Sequence, residues 1–298
     1  GQWNTSNAPT SVNSTANTNH PTFFVSPDTF INVKFSGDIM VNIAFDDDYI
    51  GFVMGYQGPY NLTAANSTAI LDMDMVVFDW KQSYQNYLGN IAQAGPSLND
   101  VDGNYSNTNA SIFPGFWEHN NSTTWNVLAS NWGNANGWTD FTTYHFDIVY
   151  TPTRIIVWID NVLTFDVTGC FEPGRIGFYN YSQEAAVYSN FTYELYIDFQ
   201  IESQDVCIGD TAFFTLADTA CFAGNSLTNI DTFYWDLGDG TLSGDTNPWH
   251  LYTVADTFNV SLIATDINGC TDTMSKDIRV YGLPESHFSM YNFCEGDS

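Results

Sequence analysis

Short runs of β-branched and aromatic residues follow one another through the first 200 residues, and Gly, Asn, Asp or Pro bounds each of them. Such runs predict β-strands, because these side chains pack well on a pleated surface and the bounding residues favour turns. No helical period interrupts them, so we predict two packed antiparallel sheets, an all-β jelly-roll sandwich. The strands are expected at 31–35, 38–45, 49–56, 73–81, 143–150, 154–159, 162–167, 175–181 and 188–196.

Two connecting segments have distinct compositions. Asp160-Asn161 joins the runs 154–159 and 162–165, which predicts a tight two-residue hairpin. The segment 85–124 is rich in Asn, Gly and Ser and breaks the strand pattern. We therefore expect it to form long loops over one edge or face of the sandwich.

The chain carries 34 Asp and Glu residues against 6 Lys and Arg, a formal net charge of -28. This charge repels phosphate backbones and anionic lipid headgroups, so neither nucleic acid nor a bare membrane is expected as a partner. No apolar run approaches the roughly 18 residues of a membrane helix, so no direct membrane insertion is expected. Charge of one sign also destabilises a compact fold, and divalent cations held by clustered carboxylates offset it. We therefore expect Ca²⁺ as a cofactor.

Three adjacent acids, Asp46, Asp47 and Asp48, form the most chemically distinctive motif. In an extended segment alternate side chains point to opposite faces, so Asp46 and Asp48 would share one cation while Asp47 meets another or faces solvent. Calcium tolerates such a set of oxygen ligands. The alternative, from the residues alone, is a solvated acidic turn without an ion.

A second candidate metal site consists of Asp100, Asp102 and Asn104, which place oxygen ligands at alternate positions around a glycine, as at the start of a calcium loop. The acid that closes an EF-hand is missing, because position twelve counted from Asp100 is Ser111. An ordinary Asx-rich turn accounts for this motif equally well.

A short phrase recurs near the end of the chain. Cys207–Thr211 is Cys-Ile-Gly-Asp-Thr and Cys294–Ser298 is Cys-Glu-Gly-Asp-Ser, with the two cysteines 87 residues apart. This spacing is typical of one small β domain. We therefore expect a tandem array, with a further repeat beginning at the second phrase.

The five cysteines are an odd set. The repeat predicts that Cys294 has its partner in the following repeat and that Cys207 pairs with Cys270 across the complete one. Cys170 and Cys221 remain, and the residues leave their pairing open. Five cysteines in a chain with few lysines and few helix signals suit an oxidising exterior, although buried free thiols are the alternative.

Six blocks in the first 200 residues occur in the order seen in a known family: Val33–Gly37, Asp46–Gln57, Trp80–Gln82, Trp138–Tyr144, Gly174–Phe178 and Ser182–Glu184. They resemble the C-terminal, L-type-lectin-like domain of thrombospondins. The resemblance implies a concanavalin-like jelly roll over residues 1–200. It also implies that the acids of the Asp46–Asp48 block bind calcium, with Asp28 as a further candidate ligand from a neighbouring loop. The family's animal members carry cysteines near the domain ends that are not found here, so their receptor interactions are not implied.

A second set of blocks follows: Tyr234–Gly240, Pro248–Tyr252, Phe258–Ala264 and Asn268–Thr273. They resemble a PKD repeat, an immunoglobulin-like sandwich found in tandem in large Bacteroidota cell-surface adhesins. The resemblance implies a PKD domain over 201–281, and a linker with the start of a further repeat over 282–298. It also implies that Trp235 and His250 serve core packing and loop bracing. The alternating pattern predicts four inward side chains, Phe258, Val260, Leu262 and Ala264.

Tryptophans are concentrated in the loop-rich middle of the first 200 residues. Stacking rings beside planar polar groups are what sugar binding requires. We therefore predict a glycan site at Trp117, Trp132, His119 and Asn120, although packing in the core accounts for Trp117 and Trp132 equally well. Trp80 and Trp138 fall within the thrombospondin-like blocks and are expected in the core.

Catalytic motifs do not emerge from the sequence. The glutamates do not follow the Glu-x-Asp-x-x-Glu spacing of jelly-roll glycosidases, the histidines form no zinc-ligand pair, and there is no Gly-x-Ser-x-Gly elbow. We therefore expect a protein that is not an enzyme.

Two functions fit these features. The first is an extracellular, calcium-dependent adhesin at the cell surface, with a lectin-like tip on a stalk of PKD repeats. Its partners would be glycans or surface polymers and the neighbouring repeats of the same chain. The second is a structural subunit or tip of an extracellular filament without a ligand pocket. The sequence favours the adhesin.

Overall fold

The computed structural model describes residues 3–4, 11–15, 17, 20–58, 70–106, 108, 112–196, 200–217, 230–266, 269 and 271–284. These residues form two compact units, one up to residue 196 and one from residue 200 onward. Nearly all of their regular structure is β-strand, which confirms the all-β prediction. No helix among them is both long and apolar enough to cross a membrane.

The first unit is a sandwich of two antiparallel sheets, as predicted. Its strands are β1 (Trp3–Asn4), β2 (Ser11–Ser14), β3 (Pro21–Phe30), β4 (Val33–Val41), β5 (Tyr49–Tyr56), β6 (Ile70–Lys81), β7 (Gln85–Tyr87), β8 (Asn90–Ala92), β9 (Gly95–Ser106), β10 (Trp125–Ser130), β11 (Tyr144–Tyr150), β12 (Arg154–Ile159), β13 (Val162–Thr168), β14 (Gly174–Tyr181) and β15 (Ala186–Leu195). One sheet has seven strands in the order β1-β2-β15-β4-β11-β12-β13. The other has six, in the order β10-β9-β6-β5-β14-β3, and β7 and β8 form a separate two-stranded ladder.

Side-chain alternation explains how the two sheets pack. Burial along β4 alternates strictly, as expected for a strand with one face on the core. The core between the sheets is rich in aromatic rings, and Phe52 of β5 packs edge-on against Phe146 of β11 at 4.9 Å between ring centroids. The predicted hairpin is confirmed: Asp160 and Asn161 both have positive φ, which matches the right-handed twist of β12 and β13.

The six-stranded sheet is buried on its other side as well, which we call the outer face. All eight residues of β5 are buried, because a second apolar cluster packs on the outer face. The segment 112–125 supplies much of the cover; it contains a π-helical turn, Phe113–Trp117, and packs the Phe116 ring against Trp125 at 4.8 Å. Although it lies outside the sandwich, the outer face is therefore buried.

The prediction of long loops over 85–124 is wrong for its central part. β9 pairs along its whole length with β6 and along part of it with β10. Ser97 and Asn99 are fully buried on the outer face, where both hydrogen-bond to Asp79. Most strands are recognised by apolar residues at their buried positions. In β9 these positions hold the polar residues Ser97 and Asn99, so the sequence shows no alternation of apolar and polar residues there.

The second unit is a small β-sandwich. Its strands are β16 (Gln200–Glu202), β17 (Val206–Cys207), β18 (Thr211–Phe213), β19 (Thr215–Ala217), β20 (Ile230–Asp236), β21 (Leu242–Ser243), β22 (Trp249–Leu251), β23 (Thr257–Asp266) and β24 (Thr271–Tyr281). A five-stranded sheet has the order β17-β24-β23-β20-β21, and β16-β19 and β18-β22 form two short ladders.

The core of the second unit confirms the predicted pattern. Val260, Leu262 and Ala264 are fully buried, and Phe258 packs against the same cluster. Trp235 is also fully buried, with its indole N–H donating to the Asp245 carbonyl at 2.9 Å. Nε2 of His250 lies 2.6 Å from Asp239 Oδ2, so this side chain braces the loop after β20, as predicted.

The predicted Cys207–Cys270 disulfide is wrong, because Cys207 carries a free thiol. Cys207 pairs with Tyr281, the last residue of β24. Cys270 lies outside the described residues, but it is bonded to Thr271, the first residue of that strand. The ten residue steps from Thr271 to Tyr281 span about 33 Å, so Cys207 lies far from the first residue of β24. Cys170 of the first unit is disulfide-bonded.

Candidate functional site

The acidic turn, which we define as Asp46, Asp47 and Asp48, leads directly into β5. Each of its side chains offers a carboxylate oxygen, and these oxygens lie within 4.8 Å of one another. Asp48 is buried, whereas Asp46 and Asp47 are half-buried. The structure therefore brings together the three acids that the sequence singled out.

Lys81 is the basic group of this site, and its side chain is fully buried. The ammonium lies 3.0 Å from Asp48 Oδ1 and donates to the Asp47 carbonyl at 2.9 Å and to Gln85 Oε1 at 3.0 Å. It also lies 4.8 Å from the centre of the Trp117 ring, close enough for a cation–π interaction. Three carboxylates and one ammonium leave the site with a formal charge of about -2 at neutral pH.

Strand register explains why Lys81 reaches the acidic turn. Lys81 is the last residue of β6 and is paired with Tyr49, the first residue of β5. Its side chain lies on the outer face, beside the residue that precedes Tyr49, which is Asp48. The sequence does not reveal this contact, because Lys81 and Asp48 are 33 positions apart.

Asp46 is held by a different part of the chain. Its Oδ2 accepts hydrogen bonds from the Glu184 amide and from Asn17 Nδ2, both at 3.0 Å. Burial raises the pKa of Asp46 to about 6, and the carboxylates of Asp48 and Asp47 add to the effect, while the bond from Glu184 opposes it. A cation at the turn would relieve this repulsion.

The donor set of the turn fits a hard divalent cation. Carboxylate oxygens are the ligands that calcium prefers, and calcium accepts irregular arrangements of them. Asp46 and Asp47 are the more accessible ligands, because Asp48 already pairs with Lys81. The acidic turn is therefore the candidate metal centre.

Asp28 does not belong to this centre, contrary to the expectation from the resemblance. It lies on β3 next to Thr29, which pairs with Arg175 of β14, whereas the acidic turn adjoins the Tyr49–Tyr181 pair. The six residue steps from Arg175 to Tyr181 span about 20 Å along the sheet. Asp28 is thus near the opposite end of the strands.

The predicted calcium loop at Asp100, Asp102 and Asn104 is also wrong as a loop. All three lie in β9, where Asp102 pairs with Asp74 and Asn104 with Asp72 on β6. The sequence motif is thus the polar face of a regular strand. Asp74, Asp100 and Asp102 line a cavity of about 170 Å³ together with Glu172.

The carboxylates around this cavity repel one another. Burial raises the pKa of Asp74 to about 6, with further contributions from Asp102, Glu172 and Asp100. Burial also raises the pKa of Asp100, and Asp102 adds to that shift. The native state therefore holds its protons more tightly here than the unfolded chain does.

We expect an Asp74→Asn substitution to stabilise the protein at pH 7 and to have no effect near pH 3.5. A folded pKa near 6 against an unfolded value of 3.8 lowers stability progressively as pH rises from 4 to 6 and fully above that. The shift corresponds to at most about 3 kcal/mol, and solvent screening at this exposed side chain reduces the expected gain to about 1 kcal/mol. Urea unfolding at both pH values measures it.

Asp231→Asn is the matched control, since it removes one charge from an exposed strand position in the second unit. Its effect should stay within about 0.5 kcal/mol at either pH. A gain for Asp74→Asn that persisted at pH 3.5, or no gain at pH 7, would contradict the assignment.

Two of the four proposed glycan-binding residues are not available to a ligand. Trp117 and His119 are each only 5% exposed and pack on the outer face, so their prediction is corrected. Trp117 donates from Nε1 to the Asn90 carbonyl, and His119 Nε2 lies 2.7 Å from Asp79 Oδ2. Asn120 is exposed and Trp132 is 37% exposed, so for these two the assignment stays a prediction.

Sequence reasoning missed Asp79 and Lys81, which carry the buried polar chemistry of the outer face. A signal was present on β6. Every second residue of β6 faces the outer face. Met73, Met75 and Val77 are apolar, and the next two residues on that face, Asp79 and Lys81, are charged. A charge at the apolar face of a strand predicts a buried partner.

Comparison with known proteins agrees with this architecture. Residues 1–196 match the thrombospondin C-terminal region family, and residues 200–280 match the PKD domain family. Thrombospondin-2 of Gallus gallus is 29% identical over 197 residues, covering 60% of this chain and 15% of that protein. Thrombospondin-3b of Danio rerio is 29% identical over 188 residues, covering 58% and 18%. The chain thus spans a small part of the length of these relatives.

Two solved structures show lower similarity. A protein of unknown function with a galectin-like fold from Bacillus subtilis has a TM-score of 0.43 and 11% identity, covering 63% of this chain and 84% of that one. The PKD1 domain of the Vibrio cholerae metalloprotease PrtV has a TM-score of 0.23 and 27% identity, covering 28% and 93%. Because the family match spans residues 1–196 of 298, the chain belongs to the thrombospondin C-terminal region family.

Proposed function

We propose that residues 1–196 form a calcium-stabilised, lectin-like head that adheres to glycans or surface polymers outside the cell. The PKD domain at 200–280 carries this head. The protein is a binding module and not an enzyme. Membership of the thrombospondin C-terminal region family supports the extracellular setting.

The charge of the acidic turn is the observation that carries the calcium proposal. Three carboxylates converge there and Lys81 neutralises one of them. One divalent cation would balance the two negative charges that remain. The turn also leads directly into β5, which is buried on both faces. A cation bound there would hold Asp46 and Asp47 together, and Asp46 also accepts a hydrogen bond from the Glu184 amide, so the ion would fix the loop before β5 beside that segment.

We expect calcium to stabilise the protein against unfolding, because the turn exists as a ligand set only in the folded state. At a concentration 100 times the dissociation constant, calcium adds about 2.7 kcal/mol to the free energy of unfolding. Thermal unfolding in calcium chloride and in excess chelator measures the difference. The Asp46→Asn, Asp47→Asn variant should lose this response.

The matched control is the Asp100→Asn, Asp102→Asn variant, which removes two carboxylates from β9 instead. It should keep the calcium response. A response that survived in the turn variant, or that disappeared in the β9 variant, would place the ion elsewhere and overturn the proposal.

We also propose a partner for the PKD domain. The phrase repeated at Cys207 and Cys294 supports a further repeat, so the domain assignment is 1–200, 201–281 and a linker with the next repeat over 282–298. Pro284 favours an extended linker, because proline restricts φ and donates no amide hydrogen. Neighbouring repeats of the same chain would then form a stalk that holds the head away from its anchor.

A further inference from the structure

Three loops of the first unit meet at the acidic turn. Residues 42–48 join β4 to β5, residues 82–84 follow β6, and residues 138–141 precede β11. Four hydrogen bonds join them: Ser83 Oγ to the Asp47 carboxylate, Gln82 Nε2 to Asp140 Oδ1 at 3.0 Å, Trp138 Nε1 to the Asp48 carbonyl at 3.2 Å, and the Phe141 amide to the Val41 carbonyl at 2.8 Å. The loops therefore form one surface.

Each of these loops exposes one large aromatic side chain. Phe45 is 93% exposed, Phe141 is 60% exposed and Tyr84 is 47% exposed. None of the three contacts another aromatic ring among the described residues. We call this set, Phe45, Tyr84 and Phe141, the aromatic rim.

Burial does not explain the aromatic rim. Neither Phe45 nor Phe141 belongs to the apolar clusters of the first unit, although exposing large apolar side chains is unfavourable. Phe141 also has a φ of 56°, a conformation that bulky residues rarely adopt. Single exposed rings are common on protein surfaces and need no explanation, but here three of them stand on loops that are hydrogen-bonded to one another, and grouped exposed apolar side chains mark binding surfaces.

We infer that the aromatic rim binds a neutral, hydroxyl-rich polysaccharide. Aromatic rings stack on the C–H faces of sugar rings, and the Asp140 carboxylate, which is not part of the candidate metal centre, accepts hydrogen bonds from hydroxyl groups. The inference rests on the proposed glycan-binding function and names the surface that performs it. It replaces the buried Trp117 and His119 as the site of contact.

Charge selects this occupant over others. The loops 42–48, 82–84 and 138–141 contain no Lys or Arg, and all of their charged groups are carboxylates, which accept hydrogen bonds. A ligand must therefore supply donors without bringing negative charge, which neutral polysaccharides do. The net charge of -28 disfavours acidic polymers further.

Affinity electrophoresis in native gels tests the inference with the whole chain. The gels contain calcium and one polymer each: dextran, xyloglucan and mixed-linkage β-glucan as neutral probes, and alginate as the acidic probe. We expect at least one neutral polymer to retard the protein and alginate to leave it unretarded. In the Phe45→Ala, Phe141→Ala variant, the affinity for that polymer should fall by about tenfold or more.

The matched control is the Phe213→Ala, Trp249→Ala variant, which removes two aromatic rings that are each 65% exposed in the second unit. It should keep full affinity, and both variants should keep the unfolding temperature of the unchanged protein. If the unchanged protein is retarded but the rim variant is too, the rim assignment is overturned and glycan binding stands. If no neutral polymer retards the unchanged protein, glycan binding itself fails and the filament role is favoured.

Discussion

Replacing Lys81 by methionine should lower the free energy of unfolding by about 3–5 kcal/mol, because it removes the partner of a buried carboxylate. The Lys81 side chain is fully buried, and Asp48 beside it is 9% exposed. Methionine has a similar length and keeps the packing against the Trp117 ring, so the loss reports mainly on charge. Urea unfolding monitored by tryptophan fluorescence measures it.

Two further variants make the Lys81 prediction specific. Lys34→Met removes a comparable contact, since the Lys34 ammonium lies 2.9 Å from Asp147, but that side chain is 30% exposed and the cost should be about 1 kcal/mol or less. Adding Asp48→Asn to Lys81→Met should recover more than about 1 kcal/mol, because the uncompensated charge is gone. Equal costs for Lys81→Met and Lys34→Met would show that the buried pair does not stabilise the fold.

The second large effect is expected at Asp79. Its carboxylate is 1% exposed and lies 2.7 Å from His119 Nε2, and it accepts hydrogen bonds from Ser97 and Asn99. Asp79→Ala leaves Ser97 Oγ and His119 Nε2 without this partner, whereas Asn99 Nδ2 still reaches Ser97 Oγ and the Val77 carbonyl. Each unsatisfied buried group costs about 1–3 kcal/mol. Because water enters part of the space, we expect a total of about 3–4 kcal/mol in urea unfolding.

Asp38→Ala is the matched control for Asp79→Ala. Asp38 Oδ1 lies 2.8 Å from His145 Nδ1, so the same two residue types are paired, but His145 is 45% exposed. Water can replace the lost bonds there, and the cost should be about 1 kcal/mol or less. If the two substitutions cost the same, the burial of the Asp79 cluster would not contribute to stability.

The two predictions bear on where a ligand can bind. Asp79 and Lys81 are adjacent same-face residues of β6, and both are enclosed by the segment that carries Trp117 and His119. Substitutions at Trp117 or His119 should thus act through stability and not through ligand contact. The open surface lies at the loops around the acidic turn, where the aromatic rim is exposed.

Much of the fold follows from local patterns in the sequence. The alternation in β4 and the two-residue turn at Asp160-Asn161 are readable because the strand has one buried face and the turn requires positive φ. The acidic turn can also be predicted from the sequence, because its three acids are adjacent in the chain and no tertiary contact is needed to bring them together. β9 is not, since its buried Ser97 and Asn99 look like loop residues until Asp79 is placed beside them.

The sequence by itself thus determined the all-β class, the strands with one polar face, the acidic turn and the blocks that define the family. Only the tertiary structure decided which residues share a site. Lys81 meets Asp48 through the register of β5 and β6, Asp28 is carried to the far end of the sheet, and Cys207 is separated from Thr271 by the length of β24. The physical reason is that side-chain alternation is a local property of a strand, whereas register and the covering of a sheet face depend on contacts between residues far apart in the chain.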